Sequence, residues 1–322
     1  TDDPPAADPE MTDFQALVDQ YAVVRLDADL SHLTASEFEV VRHLLAAMPA
    51  MDRVFWRQAY GEPAPLLARA SDDAALERYL EINYGPWDRL ADDAPFLEGE
   101  GPKPAGARFY PEDMTRDEFE EYVQAHPDMK EPLESPYTLI RRRGDNLAAI
   151  PYPEAYREDL EVVVNHLREA AAITSDAAFK DYLNQKAEDL LSNDYYPGDL
   201  LWIDLAGNLL EIVIGPYEVY EDGLMGLKAA YESFVFINDL EEMAKLRAYI
   251  DHLGEMQRLL PVEPKYKAAK IEGMASPLNV VIEVFAAGDT KAGVQTLAFV
   301  LPNDERIREE KGTKKVFLKN IQ

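Results

Sequence analysis

The stretch Ser192–Phe236, SNDYYPGDLLWIDLAGNLLEIVIGPYEVYEDGLMGLKAAYESFVF, decides how this chain is read. Two apolar segments, Leu200–Asp204 and Leu209–Ile214, flank Gly207-Asn208, residues suited to a tight hairpin turn. Ser233–Ile237 supplies a third strand-like run. The second segment empties into Gly215-Pro216 and then into alternating acids and tyrosines: Tyr217, Glu218, Tyr220, Glu221 and Asp222. Loops at the ends of rigid strands are where binding residues collect. Strand alternation places Glu218 and Tyr220 on one face. A carboxylate beside a phenol suits an ammonium group, because the acid accepts a charge-assisted hydrogen bond and the ring offers a cation–π face. The same residues also read as a solvent-facing strand end in a very acidic protein.

Upstream, the pattern is helical from Asp13 to about Gly61, and Thr34 with Glu37 has the form of a capping box ahead of Phe38, Val41, Leu44 and Leu45. Ala74–Tyr84 is a further short helix, and Gly85–Pro111 is a long Pro-, Gly- and acid-rich loop. Thr115 and Glu118 repeat the capping pattern before Phe119, Tyr122, Val123 and His126, the apolar face of a helix that Pro127 ends. Tyr137–Arg143 and Leu147–Ile150 read as strands joined at Gly144-Asp145. Pro153–Ala172 and Ser175–Leu191 are helices, the second with a stripe of Phe179, Leu183, Ala187, Leu190 and Leu191.

Downstream, Asp239–Leu259 returns to helix. Asn279–Phe285 and Val294–Leu301 are β-rich and would pair through Ala287-Gly288-Asp289, with Gly288-Asp289-Thr290 an ordinary turn. A charged helical turn from Asp304 and a strand at Val316-Phe317-Leu318 follow. Helices first and strands later indicate an α+β fold. The organisation this suggests is an acidic, disordered tether over residues 1–12, helices with a β-rich lobe over 13–237, a helical excursion over 238–275, and strands returning to the lobe over 276–322.

Composition narrows the chemistry. The 322 residues are 47% hydrophobic and 10% aromatic, which is globular. The formal net charge of −29 argues against nucleic acid, whose phosphates need a basic face, and favours a cationic partner. No apolar stretch approaches the ~20 residues that span a bilayer. With no cysteine, disulfides, thiol catalysis and Cys-ligated zinc are excluded. The opening TDDPPAADPEMTD has no basic or apolar segment of a signal peptide and reads as a tether of the kind left behind an export signal. A periplasmic or lipid-tethered bacterial protein is therefore the expectation, beside a cytoplasmic one.

The five histidines are His32, His43, His126, His166 and His252, and none makes H-E-x-x-H. No G-x-S-x-G or phosphate-cradling Gly-rich loop occurs. Arg141-Arg142-Arg143 sits in a strand, where its use is to neutralise nearby acids. The strand that ends on Pro302-Asn303 leaves backbone groups and an amide able to bind a peptide backbone by strand addition, or is a plain strand-to-helix turn with Asn303 or Asp304 as N-cap.

Two segments together, IGPYEVYEDGLMGLKAAYESFV (214–235) and LPNDERIREEKGTKKVFLKN (301–320), resemble the dipeptidyl-peptidase III family of zinc metallopeptidases in its bacterial branch. The likeness extends back through GARFYPEDMT (106–115) and SPYTLIRR (135–142). It implies that Glu218, Tyr220 and Asn303 bind the N-terminal end of a peptide substrate. A second family Asn falls here on Val300. It further implies a mixed β-barrel lobe facing a helical, zinc-carrying lobe, into which 239–275 is a short excursion. The zinc motif is expected in C-terminal sequence beyond the point that matches Gln322, so this chain would supply the substrate-anchoring half of the site, no metal ligand and no catalytic residue. By itself it is expected to hydrolyse nothing; zinc-dependent peptide cleavage by the purified chain would refute that. A free-standing peptide-binding or adaptor protein on the same lobe is the alternative, as is a related enzyme with a non-peptide substrate.

Overall fold

The computed structural model describes residues 12–250, 252–267 and 278–321. The tether expected over residues 1–12 therefore lies almost wholly outside the described residues, as do the last residues of the excursion expected to end at 275.

The chain opens with helices α1 (Phe14–Val18), α2 (Ala35–Ala59), α3 (Pro63–Leu67) and α4 (Ala74–Asn83). A small ribbon, β1 (Trp87–Asp88) with β2 (Ala94–Pro95), precedes α5 (Arg116–Ala125) and α6 (Lys130–Glu134). The hairpin β3 (Thr138–Arg143) and β4 (Asn146–Pro151) leads to α7 (Tyr152–Ala155), α8 (Arg157–Ile173), α9 (Ala177–Ser192) and α10 (Tyr196–Asp204). Then come β5 (Leu210–Glu218), β6 (Ala230–Asn238), α11 (Leu240–Ile250) and α12 (Leu253–Leu259). The chain finishes with β7 (Leu278–Gly288), β8 (Ala298–Leu301), α13 (Glu305–Glu310) and β9 (Lys314–Leu318).

The long helix α2 starts where its sequence says it should. Thr34 accepts from the Glu37 N–H, and the Glu37 carboxylate accepts from the Thr34 N–H at 2.8 Å, so two otherwise orphaned donors are satisfied. Residues 19–34, expected to be helical, are not. Short polar side chains there bond locally instead, as where Asp29 accepts from the Ser31 N–H. The α2 stripe of Val40, Val41, Leu44, Met48, Met51 and Phe55 is buried, and α8 buries Leu160, Val163, Val164 and Leu167. In α9, Phe179, Leu183, Ala187 and Leu190 are buried as expected, whereas Leu191 is exposed.

The fold is α+β around a five-stranded mixed sheet of order β5-β6-β7-β9-β8. Neighbours pair antiparallel except β7 with β9, which are parallel. This corrects three expectations. No described sheet closes into a barrel, because β5 and β8 are its two edges and no ladder joins them. β7 and β8 do not form a hairpin, since β9 lies between them. Residues 200–204 belong to helix α10, not to a strand. Pro197 sits in the first turn of that helix, where its missing N–H costs nothing. A short apolar run without alternation cannot separate helix from strand by itself. β6 is buried along its whole length, which makes every polar side chain on it conspicuous.

Candidate functional site

The antiparallel register of β5 and β6 shifts between Pro216 and Glu218. This bulge re-aims the strand end, as bulges beside sites do. β5 stops at Glu218, so strand alternation does not carry on to Tyr220, which sits in the following loop and is 82% exposed.

That loop is held from beneath by its two other acids. Asp222 is buried and accepts from the N–H groups of Leu224, Met225, Leu227 and Lys228 at 2.8–3.1 Å and from the Tyr110 hydroxyl at 3.0 Å. Glu221 is equally buried, 2.9 Å from Arg89 and 2.7 Å from Lys103. Burial works against its charge, but those two cations hold its carboxyl below the usual range. The cluster expected at the rim is thus divided: Glu221 and Asp222 are internal supports, and Glu218 and Tyr220 face outward.

Glu218, Tyr220 and Asn303, far apart in sequence, line one cavity of about 530 Å³. Asn303 follows β8, and its amide donates to the Tyr217 carbonyl at 2.9 Å and to Glu218 Oε1 at 3.3 Å, linking the ends of the two edge strands. The next residue, Asp304, accepts from the Arg306 N–H and caps α13, as the strand-to-helix reading of this turn expects. Val300, at the position where the resemblance expects a second Asn, lines the same cavity. One wall is aromatic: Phe299 stacks on Phe234 at 5.0 Å and, at 6.1 Å, on Phe236.

Two further acids line the cavity that the sequence reading passed over, Glu232 and Asp289. Gly288 pairs with Glu232 across β6 and β7; a Cβ there would fall 2.4 Å from the Tyr231 carbonyl oxygen, and its φ is +82°. Only glycine allows that approach, so the supposed ordinary turn is what sets Asp289 close to Glu232. Burial raises the Glu232 carboxyl well above its usual range, helped by the charges of Asp289 and Glu218. Burial also pushes Asp289 up to about 7; Glu221 adds to the shift and Arg89 opposes it. Glu218 in turn raises the Tyr220 phenol. Glu218, joined by Asp289 as it ionises, gives this cavity an acidic character that suits a cation, with Arg89 the basic residue in its lining and Glu232 kept neutral by burial. An acid in the middle of the apolar run AYESFVF is the one signal by which Glu232 was findable.

Residues 145–322 match the family described as Peptidase family M49. The chain belongs to that family. It is 47% identical to the solved DPP III of Caldithrix abyssi, with a TM-score of 0.90, over 95% of this chain and 59% of that one. The dipeptidyl-peptidase III of Corallococcus sp. strain EGB is 37% identical with a TM-score of 0.84, over 96% of this chain and 58% of that one. Among curated proteins, Nudix hydrolase 3 of Arabidopsis thaliana is 31% identical over 96% of this chain and 47% of its own length. Dipeptidyl peptidase 3 of Nematostella vectensis is 30% identical over 38% of this chain and 16% of its own. The chain thus spans less than half of either curated relative and under three-fifths of either solved structure.

Family M49 uses zinc. Among the described residues no group of three or more His, Asp or Glu side chains is placed to hold a metal ion. His43 and His166 face each other across α2 and α8, Nδ1 to Nδ1 at 3.3 Å, far in sequence from the cavity residues. The described residues therefore do not fit the family's metal. No described helix is long and apolar enough to cross a membrane.

Proposed function

We propose that the cavity between the ends of β5 and β8 anchors the amino terminus of a peptide, as the substrate-binding half of a dipeptidyl-peptidase-III-like metallopeptidase. Convergence of Glu218, Tyr220 and Asn303 on one acid-lined cavity carries this reading. Glu218 accepts from the ammonium group, held in place by the Asn303 amide, while the Tyr220 ring covers the cation. Asp289 supplies further negative potential from the floor as it ionises, and Glu232, kept neutral by burial, offers hydrogen-bonding groups beside it. β8 is a sheet edge, so an extended peptide is able to add a strand there while Phe234 and Phe299 receive an apolar side chain. The zinc chemistry of the whole protein belongs, in this reading, to sequence outside these 322 residues.

Calorimetry with a short peptide and its N-acetylated form tests the assignment. Acetylation removes the charge, and a charge-assisted hydrogen bond is worth about 1.5–3 kcal/mol, so affinity should fall at least about tenfold. Glu218→Gln should reproduce most of that loss for the free amine and little of it for the acetylated peptide. Affinity should rise as pH climbs through about 7, because Asp289 gains its charge there, and fall again near about 8, where a peptide amine loses its proton. Equal affinities for the free and acetylated peptides would rule out an amine-anchoring role.

A further inference from the structure

A second cavity, of about 390 Å³, shares no lining residue with the acidic one and has the opposite electrostatics. Arg57 from α2, Arg108 from the loop before α5 and Arg141 from β3 converge on it, beside Tyr60 and Tyr156. Three guanidinium groups drawn together in a chain of net charge −29 call for a reason.

Internal carboxylates neutralise them only in part, through the Asp159 that Arg57 shares with Arg53. Arg141 has no carboxylate partner among the described residues; its guanidinium donates only to the backbone carbonyls of Phe109, Ile140 and Arg108, at 3.2, 2.7 and 2.9 Å. Of the basic run in β3, Arg142 neutralises acids, pairing with Glu118 and Asp113. Arg108 pairs with Glu112, and Arg57 lies 3.3 Å from Glu62; both carboxylates are largely exposed, where such pairs are weak. Arg57 also reaches Asp159 at 3.5 Å, but Asp159 is nearer to Arg53, at 2.8 Å. Burial lowers the pKa of Arg141, and the charge of Arg108 lowers it further, so the two cations repel. Beneath them the buried Tyr156 hydroxyl has no hydrogen-bond partner. The Gln58 side chain approaches that phenol, and its Nε2 meets no partner at full hydrogen-bond geometry.

We propose that this cavity is a binding site for a phosphate-class oxyanion, either inorganic phosphate or a phosphomonoester. The planar guanidinium fork matches two oxygens of such an anion, and a dianion would relieve the repulsion between Arg108 and Arg141. Arg57 and Arg108 close over the anion from opposite elements. Glu62 stands at the mouth as its competitor.

Titration of the 322-residue chain at constant ionic strength, read by calorimetry, tests this with inorganic phosphate, glycerol 3-phosphate and chloride as probes. Saturable binding of one or both phosphates is expected, and a preference between them separates the two sources. Arg141→Lys should weaken binding about tenfold, because a point charge replaces a fork. Glu62→Gln removes the exposed competitor without losing a capping bond and should tighten binding about threefold. Such a gain is something no folding defect produces. A response to chloride equal to that for phosphate, or unchanged affinity in Glu62→Gln, would overturn the proposal.

Discussion

Replacing Asp222 by Ala is expected to lower stability by about 3–5 kcal/mol and to abolish acetylation-sensitive peptide binding in the same protein. Five groups donate to this one buried carboxylate, four of them backbone N–H groups of residues 224–228. Each hydrogen bond is worth about 1 kcal/mol net, and donors left buried without an acceptor cost more. The same bonds fold the loop that carries Tyr220, so site and stability should fail together. The loop is tied down again at its far end: Lys228 Nζ lies 2.6–2.9 Å from the Leu133 and Ser135 carbonyls and the Thr138 hydroxyl. Urea denaturation followed by calorimetry measures both quantities. A variant with wild-type stability, or one that loses stability yet still binds the free-amine peptide normally below its transition, would show that Asp222 does not organise this loop.

Lys186→Met should be comparably severe, and its severity should depend on pH. Lys186 is fully buried, 2.5 Å from Asp199 and 3.5 Å from Asp189. Gly198 makes that approach possible, since a Cβ on it would fall 2.0 Å from Asp189 Oδ2. Removing one partner of a buried ion pair costs about 3–5 kcal/mol, because the other charge is left uncompensated. Burial raises both carboxyls even beside the lysine, Asp189 to about 6. A carboxyl whose folded pKa exceeds its unfolded value binds more protons in the native state, so its contribution to stability declines as pH rises through that window. Without Lys186 both groups shift further upward, and the window widens towards neutrality. The stability deficit should therefore be largest near about pH 7.5 and shrink near about pH 5. A deficit independent of pH would mean that lost packing, not unpaired charge, sets the cost.

These two networks show what could be read from the chain and what could not. The amphipathic stripes of α5 and α9, the capping box at Thr34 and the β3–β4 hairpin are local, repeating every 2 or 3.6 residues or closing within four, so the sequence displays them. The pairing of α10 with its surroundings is not local. Its apolar run suits a strand equally well until Trp202 donates to the buried Glu211 at 2.8 Å and Lys314 donates to the carbonyls of Trp202 and Leu205. Tertiary partners then outweigh propensity.

The site divides along the same line. Glu218, Tyr220 and Asn303 were reachable because family-like motifs surround them, and the motifs at 214–235 and 301–320 also declared membership in family M49. Sequence alone determined that membership, the α+β class and the acidic character that favours a cationic partner. Only the tertiary structure decided that β9 separates β7 from β8, that Glu221 and Asp222 turn inward, and that Glu232 and Asp289 join Glu218 in one cavity. Periodicity reports which face of an element is apolar. It is silent on which distant carboxylates share a low-dielectric space, because that depends on sheet order and on close approaches such as the one at Gly288.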